Sequence, residues 1–436
     1  MRLRDYLEVD FPLFLSAVVL TVFGILFIYS SGITSSGAVV SGEYTRQIIW
    51  ASAGLILALV LTMINYRRIY DLSLYLYLGA LVLLVYTLFF GRLVSGARAW
   101  IGIGSFGIQP SEFAKITTIL FLARYLDSTK RSEKTAVRFA LSCVIVFLPM
   151  GIILLQPDFG TSLVFIPILL VCSFVGGIAM RYLAFMGGCI ALTGIMLVLP
   201  LWQEMILKGA FPAVMTLTNP RFILISCLAL LAVTLISLFG FFKYKKRYFF
   251  FICYGGIMGI LSLLLSFASH KMLKDYQIMR LIVFLDPNVD PRGSGWHIIQ
   301  SMTAIGSGGL MGKGFLKGTQ SHYRFLPQQS TDFIFSIFTE EWGLLGGLLV
   351  FALFLLICLR LIRIMKTTSD TFGVYITAGL AAVYSFHFMV NVGMTMGIMP
   401  ITGIPLYFMS YGGSALITAM AGIGLAMSIH VRRFNR

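Results

Sequence analysis

Residues Phe11 to Ser30 read FPLFLSAVVLTVFGILFIYS, a stretch without a single charged side chain. A helix of about 20 such residues is long enough to cross about 30 Å of bilayer hydrocarbon. The stretch is longer than the apolar core of a secretory signal, and similar stretches follow it along the chain. We therefore expect a retained membrane-spanning helix rather than a cleaved leader.

Similar apolar runs occupy most of the chain of 436 residues. Hydrophobic residues make up 58% and charged residues 11%, and the mean hydropathy is +0.91, whereas soluble domains carry about 25% charged residues. We predict about twelve spans, at approximately residues 11–30, 48–64, 72–90, 112–126, 138–155, 162–179, 182–201, 221–242, 248–268, 332–360, 371–392 and 404–429. The sequence thus predicts an all-α, polytopic transmembrane helix bundle, with residues 1–436 as a single integral membrane domain.

The distribution of Lys and Arg sets the predicted orientation. If the N-terminus is cytoplasmic, the basic residues of every short internal loop are cytoplasmic too, as the positive-inside rule requires. Both termini are then cytoplasmic. The formal net charge of +16 is explained by these loops, so the sequence does not predict a nucleic-acid partner.

This orientation places a long loop, residues 269–331, outside the cytoplasm. It carries seven basic and three acidic residues. A basic surface beside a membrane suits an anionic ligand such as a lipid phosphate or pyrophosphate, and a tolerated solvated loop is the alternative. Its segment 306–314 is rich in glycine, so its backbone amides could approach phosphate oxygens, but it lacks the spacing of a nucleotide-binding loop.

Charged residues also occur at the ends of predicted spans. Glu112 and Lys115 lie three residues apart on one face of the fourth span. Because an intramembrane charge costs about 2.5–3.5 kcal/mol, the two either form a structural ion pair or line a wet cavity that binds substrate. Arg98 and Trp100 precede them in an outer loop, and Asp158 lies in a Pro/Gly turn between the fifth and sixth spans. Each has a plain structural explanation, as an interfacial anchor or a turn residue.

Two further segments predict irregular backbone. Asp286-Pro287 and Asp290-Pro291 cannot lie within one regular helix. Pro and Gly are also dense between residues 400 and 413, which predicts a broken segment buried in protein or lining a watery cavity.

Taken together, these motifs resemble the shape, elongation, division and sporulation (SEDS) family of integral membrane proteins, and within it the elongation branch. The resemblance covers nearly the whole chain and rests on the following stretches: GARAW, QPSEFAK, QPDFGTS, FLDPNVDPRGSGWHIIQS, AIGSGGLMGKG, GTQS, TDFIFS, EEWGLLG and SYGGSALI.

The resemblance implies a peptidoglycan glycosyltransferase that polymerises lipid II on the outer face of the cytoplasmic (inner) membrane. It implies a class B penicillin-binding protein, a transpeptidase, as partner, together with other elongation-complex membrane proteins and membrane lipid. The family's catalytic aspartate matches Asp290, and its sensitive loop tryptophan matches Trp100. Its polar cavity residues match Arg98, Glu112, Lys115 and Asp158.

The sequence departs from the family in places. Family members typically have ten spans, so residues 182–247 are predicted to be an extra helix pair. The family's usual Pro-Leu-Pro near the last span is Pro405-Leu406-Tyr407 here, which leaves the local backbone shape open. In addition, residues 327–330 read PQQS where the family often has Glu and His. This departure disfavours an essential role for the two positions at which the family has Glu and His.

The chemistry of the implied reaction assigns further roles. A leaving pyrophosphate needs no general acid, so one carboxylate base suffices, and Asp290 is the predicted base of an inverting displacement. Positive charge must stabilise the departing phosphates, and Arg280 and Lys313 are candidates. A divalent cation, Mg²⁺ or Mn²⁺, is an open alternative for that role, although no cluster of metal ligands is evident and no other cofactor is expected.

Two other functions use the same features. A flippase that carries the lipid-linked precursor across the membrane would need the same cavity and charges but has no evident need for Asp290. A non-enzymatic scaffold for a transpeptidase would tolerate neutralisation of every cavity residue.

Overall fold

The computed structural model describes residues 9–94, 96–103, 106–130, 134–203, 206, 214, 217, 219–272, 275–291 and 293–433. Up to residue 178 the helices are α1 Phe11–Ser31, α2 Glu43–Met63, α3 Arg67–Phe90, α4 Pro110–Ser128, α5 Thr135–Leu155, α6 Phe159–Leu163 and α7 Phe165–Val175. The later helices are α8 Met180–Trp202, α9 Pro220–Tyr244, α10 Arg247–Met272, α11 Asp275–Leu285, α12 Ser294–Ser307, α13 Thr319–His322, α14 Ile334–Thr367, α15 Thr371–Thr395 and α16 Gly413–Val431.

Ten of the described helices have the length and apolar composition needed to cross a membrane. The other two predicted spans correspond to α4, which carries several charged residues, and to α6 and α7, which are separate helices with Val164 between them. The predicted multi-pass helical architecture is confirmed. The count of twelve spans and the cytoplasmic placement of both termini stay predictions.

The chain forms two compact units, one of residues 1–178 and 300–436 and the other of residues 179–299. In the first unit α16 packs along α2, and 83% of the residues in the apolar window of α16 are buried. The two helices approach closely at Gly424, where a side chain would press on the backbone of Ala58. This enclosed position of α16 explains why its buried face is built from small residues such as Ala419 and Ala426.

The connection between α15 and α16 is irregular and buried, as the dense Pro and Gly predict. Leu406, Tyr407, Phe408 and Met409 are each at most 1% exposed. The segment passes so close to α1 that a side chain at Gly24 would meet the backbone of Met409. Protein therefore surrounds this non-helical backbone, as the membrane environment requires.

A small antiparallel sheet was not predicted. Its strands are β1 Arg92–Val94, β2 Ala97–Ile103 and β3 Phe106–Ile108, in the order β1-β2-β3. The sheet lies between α3 and α4 in the chain. It gives a fixed backbone to the segment that contains Arg98 and Trp100.

The second unit contains α8 to α11 and the start of α12. Helices α9 and α10 form an antiparallel hairpin in which the Ser237 hydroxyl donates to the Phe249 carbonyl at 2.8 Å, and α8 packs on α10 and α11. The bounds of α8, α9 and α10 agree closely with three predicted spans. That two of them are additions to a family core stays a prediction.

Candidate active site

Glu112 and Lys115 form a buried ion pair in the first two turns of α4. Pro110 takes the first helical position, which suits a residue without a backbone donor. The Lys115 ammonium lies 2.7 Å from Glu112 Oε1, and their side chains are 0% and 2% exposed. The two residues that the sequence places on one helical face are thus in direct contact.

Two aromatic side chains complete this cluster. Lys115 Nζ donates to the Tyr407 hydroxyl at 3.1 Å and lies 3.0 Å from His387 Nε2, and the Tyr407 hydroxyl donates to Glu112 Oε2 at 3.0 Å. The His387 ring stacks on the Tyr407 ring, and its Nδ1 lies 2.9 Å from the Pro405 carbonyl. An ammonium can only donate and a carbonyl can only accept, so His387 is the neutral tautomer with its proton on Nδ1.

The cluster uses every donor of Lys115. An ammonium has three N–H bonds, and Glu112, His387 and Tyr407 are the three partners. Of the two alternatives left by the sequence, this conformation is the closed ion pair. A substrate role for Glu112 and Lys115 stays a prediction, and it would require one of these bonds to open.

Asp158 lies beside the cluster at the N-terminus of α6. Its carboxylate accepts from the Thr161 amide at 3.1 Å, from the Thr161 hydroxyl at 2.9 Å and from Gln109 Nε2 at 2.8 Å. Burial raises the pKa of the Asp158 carboxyl, while the Thr161 hydrogen bonds and the Lys115 ammonium oppose the rise. The structure therefore brings Asp158, Glu112 and Lys115 into one electrostatic group.

Arg98 and Trp100 are both on β2, in different environments. The Arg98 side chain is exposed, and its amide donates to the Gln156 carbonyl at 3.3 Å. The Trp100 ring lies over Gly107 of β3, where a side chain would press on the indole. Arg98 is thus available to an external anion, and Trp100 is held against the sheet.

Lys313 is held by a protein carboxylate. Its ammonium lies 2.8 Å from Glu340 Oε1 and donates to the Thr319 hydroxyl at 2.6 Å. The same carboxylate oxygen accepts from the amides of Thr319 at 2.7 Å and Gln320 at 2.9 Å. Lys313 therefore keeps at most one N–H for a substrate phosphate.

The neighbouring Glu341 ties the same loop to α1. Its carboxylate accepts from the Leu316 amide at 3.0 Å and from the Ser30 hydroxyl, and His322 Nε2 lies 3.8 Å away. We call Glu340 and Glu341 the acidic clamp. Both residues are fully buried in α14, so the clamp fixes residues 313–322 on the end of that helix.

Asp290 lies in the second unit, in the turn between α11 and α12. The predicted break in helical structure is confirmed, since residues 287–289 form a short 3₁₀ helix capped by Asp286, whose carboxylate accepts from the Asn288 amide at 2.9 Å. A side chain at Gly293 would overlap the Asp290 carboxylate. Asp290 as a whole is partly exposed.

Arg280 and His297 lie in the electrostatic environment of Asp290. Burial lowers the pKa of the His297 imidazole, the Arg280 guanidinium lowers it further, and the Asp290 carboxylate raises it. These three side chains therefore interact electrostatically. The predicted base and one of the two predicted phosphate-binding cations lie in the same part of the fold.

Sequence reasoning missed the partners in both buried clusters. His387 on α15 and Tyr407 join Lys115 only through contacts between distant segments, so no local pattern indicates them. Glu340 and Glu341 were detectable, because two adjacent carboxylates inside an apolar span are expensive unless they are paired.

Within the described residues, no group of three or more His, Cys, Asp or Glu side chains is placed to hold a metal ion. Among the described residues, the predicted sites contain the cationic side chains of Arg98, Lys115, Arg280 and Lys313. A divalent cation bound jointly by protein and substrate phosphates stays an open prediction.

An apolar cleft of about 500 Å³ lies in the second unit. It is lined by α8 and by the last residue of α11: Ile190, Ala191, Gly194, Ile195, Val198, Leu199, Trp202 and Leu285. Such a lining accommodates a hydrocarbon chain and offers little to a sugar or a phosphate.

Comparison with known proteins shows close relatives over the whole chain. The family model described as cell cycle protein, for FtsW, RodA and SpoVE, matches residues 11–221 and 205–435. The peptidoglycan glycosyltransferase RodA of Treponema pallidum is 49% identical over 433 residues, which cover 99% of this chain and 100% of that protein. The peptidoglycan glycosyltransferase MrdB of Escherichia coli strain K12 is 34% identical over 431 residues, which cover 98% and 95%.

Solved structures agree with the fold. A chain from a peptidoglycan synthase complex, described as coordinating polymerization and crosslinking, matches with a TM-score of 0.67 and 28% identity, covering 98% of this chain and 99% of that chain. The rod shape determining protein RodA of Thermus thermophilus matches with a TM-score of 0.61 and 24% identity, covering 98% of both chains.

Proposed function

The chain belongs to the FtsW, RodA and SpoVE family of cell cycle proteins, and from this we propose that it is the lipid II polymerase of a cell elongation machinery. It is a multi-pass inner-membrane peptidoglycan glycosyltransferase. The observation that carries this conclusion is the 49% identity to a RodA over 99% of the chain. The solved peptidoglycan synthase complex supports a class B penicillin-binding protein as partner.

We propose Asp290 as the general base. The acceptor sugar hydroxyl loses its proton to the Asp290 carboxylate while its oxygen bonds to the anomeric carbon of the donor. The bond from that carbon to the pyrophosphate oxygen breaks, and the electron pair leaves with the polyprenyl pyrophosphate. Partial exposure of Asp290, on a turn built from two Asp-Pro units, supports this role.

Arg280 is the better supported of the two proposed phosphate ligands. It interacts electrostatically with His297, as Asp290 does, so its positive charge is near the proposed base. Lys313 is bound to Glu340 and Thr319. Because positive charge stabilises the departing phosphates best close to the reacting atoms, we rank Arg280 ahead of Lys313.

The remaining site residues are proposed to act on the substrate headgroup. Arg98 is exposed on its strand and can contact a phosphate, with Trp100 fixed two residues further on. Asp158, Glu112 and Lys115 form the electrostatic group described above. We propose that residues 269–331 act as the extracytoplasmic catalytic loop and that residues 182–247 add a helix pair to the family core.

The test of this function uses purified protein with its transpeptidase partner present but blocked by a β-lactam. With lipid II as substrate, a polymerase produces glycan strands. A flippase would give no strands but would move fluorescent lipid-linked precursor across the membrane of a proteoliposome. A scaffold would do neither, so absence of strands with fully folded protein contradicts the proposal.

A further inference from the structure

The glycine-rich loop after α12 ends in an exposed apolar tip. Leu310 and Met311 are 65% and 77% exposed. They belong to the segment 306–314 whose amides could, on sequence grounds, approach phosphate oxygens. Two adjacent large apolar side chains at such exposure are unusual in a loop that faces water.

The backbone of this loop is bonded to protein. The amides of Lys313 and Gly314 donate to the carbonyls of Glu340 and Glu341, at 3.1 and 2.9 Å, and the Gly312 amide donates within the loop at 2.8 Å. These three amides are therefore already paired and do not form a phosphate cradle. Because these neighbouring amides are paired with protein, the side chains of the tip can enter lipid without carrying unpaired amides of residues 312–314 with them.

Two further backbone hydrogen bonds are donated by α14 to the loop. The amides of Leu344 and Leu345 donate to the carbonyls of Gly309 and Leu310, at 2.9 and 3.2 Å. They follow Gly343, whose φ of 66° interrupts α14. The tip is therefore joined directly to α14 and lies at the same depth as Leu344 and Leu345.

The depth of that position follows from helix geometry. Arg360 on α14 belongs to the basic group that marks one membrane boundary. Leu344 precedes it by about 16 residues, or about 24 Å at 1.5 Å per residue. Since the hydrocarbon is about 30 Å thick, Leu344 lies about 6 Å inside the opposite boundary.

The tip also continues an apolar surface of α14. Leu344, Leu345 and Leu348 are 52%, 53% and 54% exposed. On a helix that crosses the bilayer, such side chains face lipid. Leu310, whose carbonyl accepts from the Leu345 amide, and the adjacent Met311 extend this lipid-facing surface sideways into the loop.

We propose that Leu310 and Met311 insert into the acyl chains of the outer leaflet and anchor the glycine-rich loop in the membrane. The anchor fixes the height of residues 313–322, which the acidic clamp holds, relative to the lipid phosphates. This inference rests on the packing of the loop and α14 and on the predicted orientation of the chain, and it does not depend on the proposed reaction.

The test measures the accessibility of a nitroxide in nanodiscs containing the protein without its partner. The six native cysteines, all free, are first replaced, and a spin label is placed through Met311→Cys. Matched controls are Leu345→Cys for the lipid face and Ser36→Cys for an exposed loop. Leu310→Cys gives an independent second reporter if the first variant folds poorly.

We expect oxygen, which concentrates in lipid, to relax the label at position 311 more than a water-soluble nickel complex does, as at position 345. Position 36 should show the opposite order. A label at 311 that responds mainly to nickel would place the tip in water and overturn the proposal. Low response to both reagents would mean that protein covers the tip, which would also overturn it.

Discussion

Neutralising both residues of the buried ion pair together should cost less than the sum of the losses from neutralising each residue alone. Lys115→Met removes an ammonium that bonds Glu112, His387 and Tyr407, and it leaves the Glu112 carboxylate with only the Tyr407 hydroxyl. Breaking one partner of a buried pair costs about 3–5 kcal/mol in the free energy of unfolding. We expect a loss of this size for Lys115→Met and a similar loss for Glu112→Gln.

The double variant Glu112→Gln, Lys115→Met removes both charges, so no uncompensated charge stays buried. Its loss should fall short of the sum of the single losses by a coupling energy near the upper end of about 0.5–3 kcal/mol. The wild type, the two single variants and the double variant form a double-mutant cycle. The unfolding free energy of each purified protein is measured by detergent titration. Additive losses would refute the closed ion pair as the state of the native protein.

The activity of the double variant separates the two roles left open by the sequence. A purely structural pair predicts that polymerisation by the double variant falls only as far as its folded fraction does. A substrate-binding pair predicts that polymerisation is low even per molecule of folded double variant.

Two further pairs of substitutions test the acidic clamp and the loop that it holds. Glu340→Gln should lower the unfolding free energy by about 1.5–3 kcal/mol, because charge-assisted hydrogen bonds to Lys313 and to the loop amides are weakened. Glu43→Gln, which affects one hydroxyl bond at 2.6 Å, should cost about 1 kcal/mol in the same titration. Gly312→Ala should destabilise more than Gly309→Ala, for which strain alone costs about 1–2 kcal/mol, because both have positive φ but only the side chain at 312 would overlap backbone. Equal losses within either pair of variants would contradict these assignments.

The sequence was most informative where a single physical requirement sets the structure. An apolar run must be about 20 residues long to cross the bilayer, so the bounds of α1, α8, α9 and α10 followed closely from composition. The Asp-Pro units around Asp290 likewise predicted a break in helical structure, because proline lacks a backbone donor.

Structure that depends on contacts between distant segments could not be predicted from the sequence. The neutral state of His387 follows from Lys115 on one side and Pro405 on the other, which are far apart in the chain. Tyr407, which marked a departure from the family, acquires a role only beside Glu112. The three short strands around Arg98 gave no recognisable alternation because two of them have three residues each.

The glycine-rich loop shows a different limit. Its composition predicts backbone freedom, and freedom serves two purposes, approach to a phosphate or close packing against another segment. The structure shows that the glycines here serve close packing, because the Lys313 and Gly314 amides donate to the backbone carbonyls of the acidic clamp.

The most direct test of the central claim compares Asp290→Asn with Asp286→Asn in lipid II polymerisation, with the transpeptidase partner present and blocked. Both aspartates precede a proline in the same turn, and asparagine at 286 can still accept the Asn288 amide as a cap. We predict glycan strands from the wild type and from Asp286→Asn and none from a folded Asp290→Asn. Equal product from all three proteins would contradict the assignment of Asp290 as the base.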